Sequence, residues 1–228
     1  MGEMVTFKSN GKETQGFLAI PSSGRGKGVV VIQEWWGLVP HIKDVADRFA
    51  AAGFVALAPD LYHGQAASNQ EPDVAGKLMM SLKISEADKD LAGAIDFLSK
   101  HDSVMSKKVG TVGFCMGGAL SLFAAANNPD KVGACVVFYG VHAFVMGEVE
   151  RLQAPVLGLY AEHDDFTKPE AIAQLQKDFE KHGKQIEVKI YPGTHHAFFN
   201  DTRPQVYNRE AAADAWKRTV EFLDKNLS

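Results

Sequence analysis

The chain has 228 residues, 46% of them hydrophobic, which is enough to bury one large core. We therefore expect a single domain over residues 1–228. Its 24 basic and 28 acidic residues are scattered along the sequence and give a net charge of -4. This distribution argues against nucleic acid or an anionic membrane surface as a partner. No apolar run approaches the roughly 18 residues that a membrane span requires, and the first ten residues carry charges where a signal peptide would be apolar.

These features predict a cytoplasmic protein, a monomer or weak homodimer. The chain has two cysteines, Cys115 and Cys135. Cys135 lies within a β-like run, where its side chain should be packed, so the sequence argues against a disulfide framework and suits a reducing compartment.

Short runs of β-branched residues alternate with longer amphipathic segments, a pattern typical of a mostly parallel sheet with helices on both faces. We predict strands near 4–8, 16–20, 28–33, 54–58, 108–113, 132–138, 155–160 and 186–191. We predict helices near 41–52, 74–82, 86–100, 117–127, 168–181 and 205–226, the last opened by Pro204. The turn at Asn10-Gly11 favours a hairpin between the first two strands. Residues 63–73 are polar and irregular, and we expect a surface loop or part of a lid.

The segment around Cys115 predicts a nucleophile elbow. The β-like run 109–113 leads directly into Cys115, which is flanked by Gly113 and Gly117 and followed by an Ala/Leu-rich helix. An elbow strains the backbone of its central residue and needs small residues two positions before and after it. It would lift the Cys115 sulfur above the sheet at a helix N-terminus, which favours a thiolate. Taken alone, the motif would favour a buried cysteine at a tight strand-to-helix packing point, so the prediction of an elbow depends on the rest of the chain.

Eight strands with the candidate nucleophile after the fifth are the layout of an α/β-hydrolase fold. That layout requires an acid after the seventh strand and a histidine after the eighth. The seventh predicted strand leads into Asp164 and Asp165, and the eighth leads into His195 and His196. His196 as base and Asp164 as its orienting acid would complete a nucleophilic site, although the pattern permits an error of one residue at either position. The eight-stranded, mostly parallel α/β-hydrolase fold is therefore our expectation.

The same loops could be read as a metal site formed by His163, Asp164, His195 and His196. Zinc hydrolases usually place their histidines at helical or HxH spacing, whereas these two adjacent histidines would point in different directions. We therefore expect no metal and no other cofactor.

The third predicted strand ends in Glu34-Trp35-Trp36. In this fold the loop after strand three supplies one backbone N–H of the oxyanion hole, and the residue after the nucleophile supplies the other. Trp35 and Met116 are the expected donors. Glu34 would either turn away into a salt bridge or interact with the thiol, and Trp36 could line an apolar substrate face.

The sequence resembles the dienelactone hydrolases, also called carboxymethylenebutenolidases, over nearly its whole length. The resemblance rests on the motifs Gly16-Phe17-Leu18-Ala19, Gln33-Glu34-Trp35-Trp36-Gly37, Ala58-Pro59-Asp60-Leu61-Tyr62, Gly113-Phe114-Cys115-Met116-Gly117-Gly118, Phe138-Tyr139-Gly140 and Tyr191-Pro192-Gly193-Thr194-His195-His196-Ala197-Phe198. The run around Cys115 and the run around Glu34 are together quite specific.

The resemblance implies a triad of Cys115, His196 and Asp164, and a hydrolase that opens small lactones such as dienelactone through a thioester acyl-enzyme. It also implies that the cysteine is neutral in the resting enzyme and that Glu34 takes its proton once substrate binds. In the best-studied members an arginine four positions after the histidine holds the substrate carboxylate. Asn200 occupies that position here, with Arg203 three residues further on.

We expect the substrate, a small lactone or ester, to contact Trp36, Tyr139, Ala197, Phe198 and Arg203. Two alternatives remain at this point. One is a general carboxylesterase or thioesterase of the same fold. The other is a non-catalytic protein that binds a ligand or senses oxidants through Cys115.

Overall fold

The computed structural model describes residues 2–9, 11–142 and 149–228. The strands are β1 (Glu3–Ser9), β2 (Lys12–Ala19), β3 (Lys27–Ile32), β4 (Phe54–Pro59), β5 (Val109–Phe114), β6 (Val132–Phe138), β7 (Val156–His163) and β8 (Ile186–His195). The helices are α1 (Pro40–Ala51), α2 (Pro72–Ser81), α3 (Ile84–Ser99), α4 (Met116–Asn127), α5 (Pro169–Lys181) and α6 (Arg209–Asn226), and a short 3-10 helix spans Val149–Arg151.

All eight strands form one sheet in the order β1-β2-β4-β3-β5-β6-β7-β8. The pairs β1/β2 and β2/β4 are antiparallel, and every pair from β4 through β8 is parallel. The prediction of a mostly parallel, eight-stranded α/β fold is confirmed. Because β3, β5, β7 and β8 run in the same direction, the loops that follow them meet at one edge of the sheet, where α/β proteins place their ligand sites.

Two apolar layers hold the sheet between helices. Helices α3, α4 and α5 pack on one face, and α1 and α6 pack on the other. Along β3, Val30 and Ile32 face the first layer, whereas Val29 and Val31 face the second. This central strand is buried on both sides, which explains its continuous run of β-branched residues.

The last helix begins later than the predicted start near residue 205. Its first residue is Arg209, and the side chain of Asn208 accepts the N–H of Ala211 at 3.0 Å. Pro204 lies instead in a turn, where the N–H groups of Val206 and Tyr207 donate to the carbonyl of Arg203. The asparagine cap therefore sets the start of α6 in place of the proline.

The polar segment at 63–73 is divided between a loop and α2. Residues 63–66 and 68–71 are exposed, and α2 begins at Pro72. Asn10, at the tip of the predicted hairpin, lies outside the described residues. In the described part of the chain, no helix combines the length and the apolar character needed to cross a membrane.

Candidate active site

Cys115 lies on a sharp turn between β5 and α4. Its backbone adopts φ 55° and ψ -121°, a region that side chains rarely occupy. A Cβ atom on Gly113 would come within 1.8 Å of the carbonyl oxygen of Gly117, and a Cβ on Gly117 within 2.3 Å of that of Gln33. Both glycines are thus required for the close approach of the backbone. The turn is anchored by the N–H of Cys115, which donates to the carbonyl of Phe138 at 3.0 Å.

The loops after β7 and β8 bring an aspartate and a histidine together. Nδ1 of His196 lies 2.8 Å from Oδ2 of Asp164. Oδ1 of Asp164 accepts the backbone N–H groups of Phe166 and Thr167, each at 2.8 Å. Because an ionised carboxylate only accepts hydrogen bonds, Nδ1 carries a proton and Nε2 is the ring atom left for chemistry.

The neighbouring residues Asp165 and His195 do not take part in this pair. Both are exposed, and the ring of His195 lies beside that of His163, with 5.6 Å between centroids. Over residues 2–9, 11–142 and 149–228 the structure contains no group of three or more His, Cys, Asp or Glu residues arranged to hold a metal ion.

The charge state of His196 depends on Cys115. Burial lowers the pKa of the imidazole, but a Cys115 thiolate and the hydrogen bonds with Asp164 and Cys115 outweigh burial and raise the pKa to about 10. A thiolate at Cys115 therefore keeps His196 protonated at neutral pH, and the imidazolium in turn stabilises the anion. In that state His196 is a poor general base.

Glu34 is a carboxylate with 1% exposure held by two neutral donors. The hydroxyl of Tyr139 donates to Oε1 at 3.2 Å, and Nδ2 of Asn200 donates to Oε2 at 2.8 Å. Burial raises the pKa of the Tyr139 hydroxyl well above its ordinary value, and the negative charges of Glu34 and Cys115 raise it further. Tyr139 therefore remains a donor. Asn200 is 1% exposed and faces this carboxylate, a role that its sequence position did not reveal.

Cys115, His196 and Glu34 open into one cavity of about 140 Å³. Its walls include these sequence-predicted residues: Glu34, Trp35, Trp36, Cys115, Tyr139, His196, Ala197 and Arg203. The cavity is close in size to the roughly 150 Å³ that holds a benzene molecule in a protein core. It therefore suits a small, single-ring ligand.

The two expected oxyanion donors come from the loop after β3 and from the residue that directly follows Cys115. Trp35 lines the cavity, and its N–H has no hydrogen-bond partner among the described residues. Met116 is the first residue of α4, where a backbone N–H has no acceptor within the helix. The side chain of Met116 is buried and accepts a weak hydrogen bond from the hydroxyl of Tyr62, 3.7 Å from its sulfur.

One expected substrate contact is wrong, and several cavity residues were missed. Phe198 is fully buried and packs against Tyr139 and Tyr191, with ring centroids 5.5 and 5.0 Å away, so it supports the cavity wall and does not line it. The residues not predicted are Met79, His142, Phe166 and Thr167. Phe166 is 66% exposed, and its ring lies 4.8 Å from that of His196 at the cavity mouth. Only the position of Phe166, two residues after Asp164, could have indicated that it lines the cavity.

Known proteins show the same organisation over the whole chain. A family model described as "Dienelactone hydrolase family" matches residues 14–227. "Protein usf" of Aquifex pyrophilus is 41% identical and the "Putative carboxymethylenebutenolidase" of Aquifex aeolicus 38% identical, each over 100% of both chains. The crystal structure titled "Putative Dienelactone Hydrolase from Klebsiella pneumoniae subsp. pneumoniae MGH 78578" has a TM-score of 0.88 and 27% identity, covering 99% of this chain and 98% of its own.

The sheet order and the strained turn after β5 define an α/β-hydrolase fold. Within that class, the chain belongs to the dienelactone hydrolase family. It is a hydrolase that acts on carboxylic esters or lactones.

Proposed function

We propose that this hydrolase opens small lactones, such as dienelactones, by covalent catalysis at Cys115. The observation that carries the proposal is the shared cavity, in which the elbow cysteine meets both the His196–Asp164 pair and the buried carboxylate of Glu34. Ordinary serine hydrolases of this fold need only the first pair. A second, independent proton acceptor suits a nucleophile that is activated when substrate binds.

In the acylation step, Glu34 takes the thiol proton of Cys115 as substrate enters, and the thiolate attacks the lactone carbonyl. The backbone N–H groups of Trp35 and Met116 stabilise the oxyanion. The bond between the carbonyl carbon and the ring oxygen then breaks. The products are a thioester on Cys115 and an enolate that stays tethered to the acyl group.

In the deacylation step, the tethered enolate removes a proton from water, and the resulting hydroxide attacks the thioester. The thiolate of Cys115 leaves and recovers its proton from Glu34, so protons and charges balance over the cycle. This route requires no strong base from His196, which agrees with its raised pKa beside a thiolate. His196 instead stabilises the thiolate before attack and after release.

We propose that Arg203 holds an anionic group of the substrate. Its guanidinium lies 5.7 Å from the ring centroid of Trp36, at the edge of an otherwise mostly apolar cavity. Among the described residues, it forms no ion pair with a carboxylate, so its charge is available to a ligand. Trp36, Tyr139 and Ala197 would contact the apolar ring.

The test is a hydrolysis screen of cis- and trans-dienelactone beside p-nitrophenyl esters, with wild-type protein and Cys115→Ala. We expect turnover of at least one dienelactone by the wild type and none above background by the variant. A general carboxylesterase would hydrolyse the p-nitrophenyl esters with the higher kcat/KM and leave both lactones intact. That pattern would replace the lactone proposal.

A further inference from the structure

A chain of hydrogen bonds connects the surface to the buried carboxylate of Glu34. Nδ2 of Asn69 donates to the hydroxyl of Thr202 at 2.9 Å. That hydroxyl donates to Oδ1 of Asn200 at 2.7 Å, and Nδ2 of Asn200 donates to Oε2 of Glu34 at 2.8 Å. Asn69 and Thr202 are exposed, whereas Asn200 and Glu34 are 1% exposed.

Thr202 determines which end of the Asn200 amide faces Glu34. Oδ1 of Asn200 accepts both the backbone N–H of Thr202, at 3.1 Å, and its hydroxyl. If the amide were flipped, its NH2 group would meet a backbone donor and its oxygen would meet the Glu34 carboxylate. Both contacts would be repulsive or unsatisfied, which is costly for buried groups. The arrangement therefore keeps a donor on Glu34.

The outer end of this hydrogen-bond chain, Asn69, lies in the turn that precedes α2. The side chain of Glu71 accepts the N–H and the hydroxyl of Ser68, at 3.1 and 2.7 Å, and so closes this turn around Asn69. Met79, further along α2, lines the cavity. A ligand beside Met79 would therefore contact the helix that follows the turn bonded to Thr202.

We infer that Asn69 and Thr202 are positioning residues that act through Asn200 on the orientation of Glu34, and so couple helix α2 to the proton acceptor. The inference rests on the proposed role of Glu34 as the base for Cys115. Weakening this hydrogen-bond chain releases the Glu34 carboxylate from its fixed orientation and lowers the rate of thiol deprotonation. The contacts between Asn200 and Thr202 belong to one turn, whereas Asn69 reaches Thr202 across 133 positions of the sequence and Asn200 reaches Glu34 across 166.

The test is a double-mutant cycle between Thr202→Val and Glu34→Gln. Because Thr202 acts through Glu34, Thr202→Val should lower kcat/KM for the lactone about fivefold to tenfold in the wild type and less than about twofold in Glu34→Gln. Asn69→Ala should also lower kcat/KM more in the wild type than in Glu34→Gln, and by a smaller factor than Thr202→Val. Equal losses in both backgrounds, or no loss in the wild type, would overturn the inference.

Thr219→Val is the matched control, because Thr219 is buried in α6 with its hydroxyl on the carbonyl of Ala215, 2.8 Å away. It should change kcat/KM less than about twofold in either background.

The side-chain NH2 signals of Asn200 in a 15N-labelled sample give a readout without turnover. Thr202→Val should shift them and accelerate their exchange, and unchanged signals would overturn the inference. If Glu34→Gln kept near-normal lactone turnover while Thr202→Val still altered the Asn200 signals, the result would refute the proposed role of Glu34.

Discussion

Asp164 uses both carboxylate oxygens, one for Nδ1 of His196 at 2.8 Å and the other for two backbone N–H groups of the loop that leads to α5. The two amides fix the carboxylate, and the carboxylate fixes the imidazole ring. The orientation of His196 is therefore set by backbone geometry. This arrangement distinguishes Asp164 from its exposed neighbour Asp165.

Asp164→Asn should lower kcat/KM by at least about a hundredfold, because the amide NH2 would face Nδ1 and disfavour the imidazolium that stabilises the thiolate. The remaining oxygen can still accept the loop amides, so the fold should survive. Asp165→Asn is the control and should retain most activity. A greater loss at Asp165 than at Asp164 would move the acid by one residue.

Cys115→Ala should abolish turnover, whereas Cys135→Ala should keep most of it. Loss of a nucleophile usually costs several orders of magnitude in rate. Burial raises the pKa of the fully buried Cys135 thiol to about 11, so it stays protonated and unreactive. Mass spectrometry after iodoacetamide treatment should find the label on Cys115 alone. Label on Cys135 in the folded protein would contradict this assignment.

The titration of His196 should depend on the sulfur beside it. A thiolate raises the imidazole pKa to about 10, and its removal leaves burial, which lowers the pKa, opposed only by Asp164. In NMR titrations extended to alkaline pH, where hydroxide removes the thiol proton, His196 should thus lose its proton at lower pH in Cys115→Ala than in the wild type. Identical midpoints would show that the sulfur and the ring do not interact.

Glu34→Gln should reduce lactone turnover about a hundredfold at pH 7, because a general base typically contributes that much or more. The loss should shrink toward pH 9, where hydroxide can remove the thiol proton. Glu187→Gln is a control, since Glu187 is an exposed carboxylate 3.7 Å from Arg218. Near-normal activity of Glu34→Gln on an enolate-forming lactone would leave activation of Cys115 to His196 alone.

Arg203→Gln should raise KM for a lactone that carries a carboxylate by about tenfold and leave kcat/KM for a neutral p-nitrophenyl ester nearly unchanged. Arg203→Lys should recover only part of the loss, because lysine lacks the planar guanidinium fork. Equal effects on charged and neutral substrates would assign Arg203 to the cavity wall and not to anion binding.

The sequence predicts what depends on local chain geometry. Gly113 and Gly117 indicate the elbow because no Cβ fits at either position, and continuous apolar runs such as that of β3 indicate strands buried on both faces. The sequence predicts less well what depends on remote partners. Asn200 occupies a position at which the family resemblance leads us to expect an arginine, yet its side chain donates a hydrogen bond to Glu34, 166 positions away. Neither pattern nor spacing reports such a contact.

Side-chain direction in the cavity wall is the other part that the sequence does not determine. Met79 comes from α2 and Phe166 from the loop before α5, and neither belongs to the sheet. Whether such a side chain points into the cavity depends on how its segment packs on the rest of the protein. The start of α6 is a smaller case, in which Asn208 forms the cap and Pro204 does not.

Cys115 and the cavity walls are held by different parts of the fold. Cys115 is fixed by β5 and the start of α4, with backbone atoms closer than any added Cβ could tolerate. Met79, Phe166 and Arg203 project from segments outside the sheet. Substitutions at these three positions can therefore alter which ester is selected without moving the sulfur. If Cys115 is the nucleophile, as proposed, reactivity and selectivity are separable in this protein, and its substrate range can diverge while its chemistry is retained.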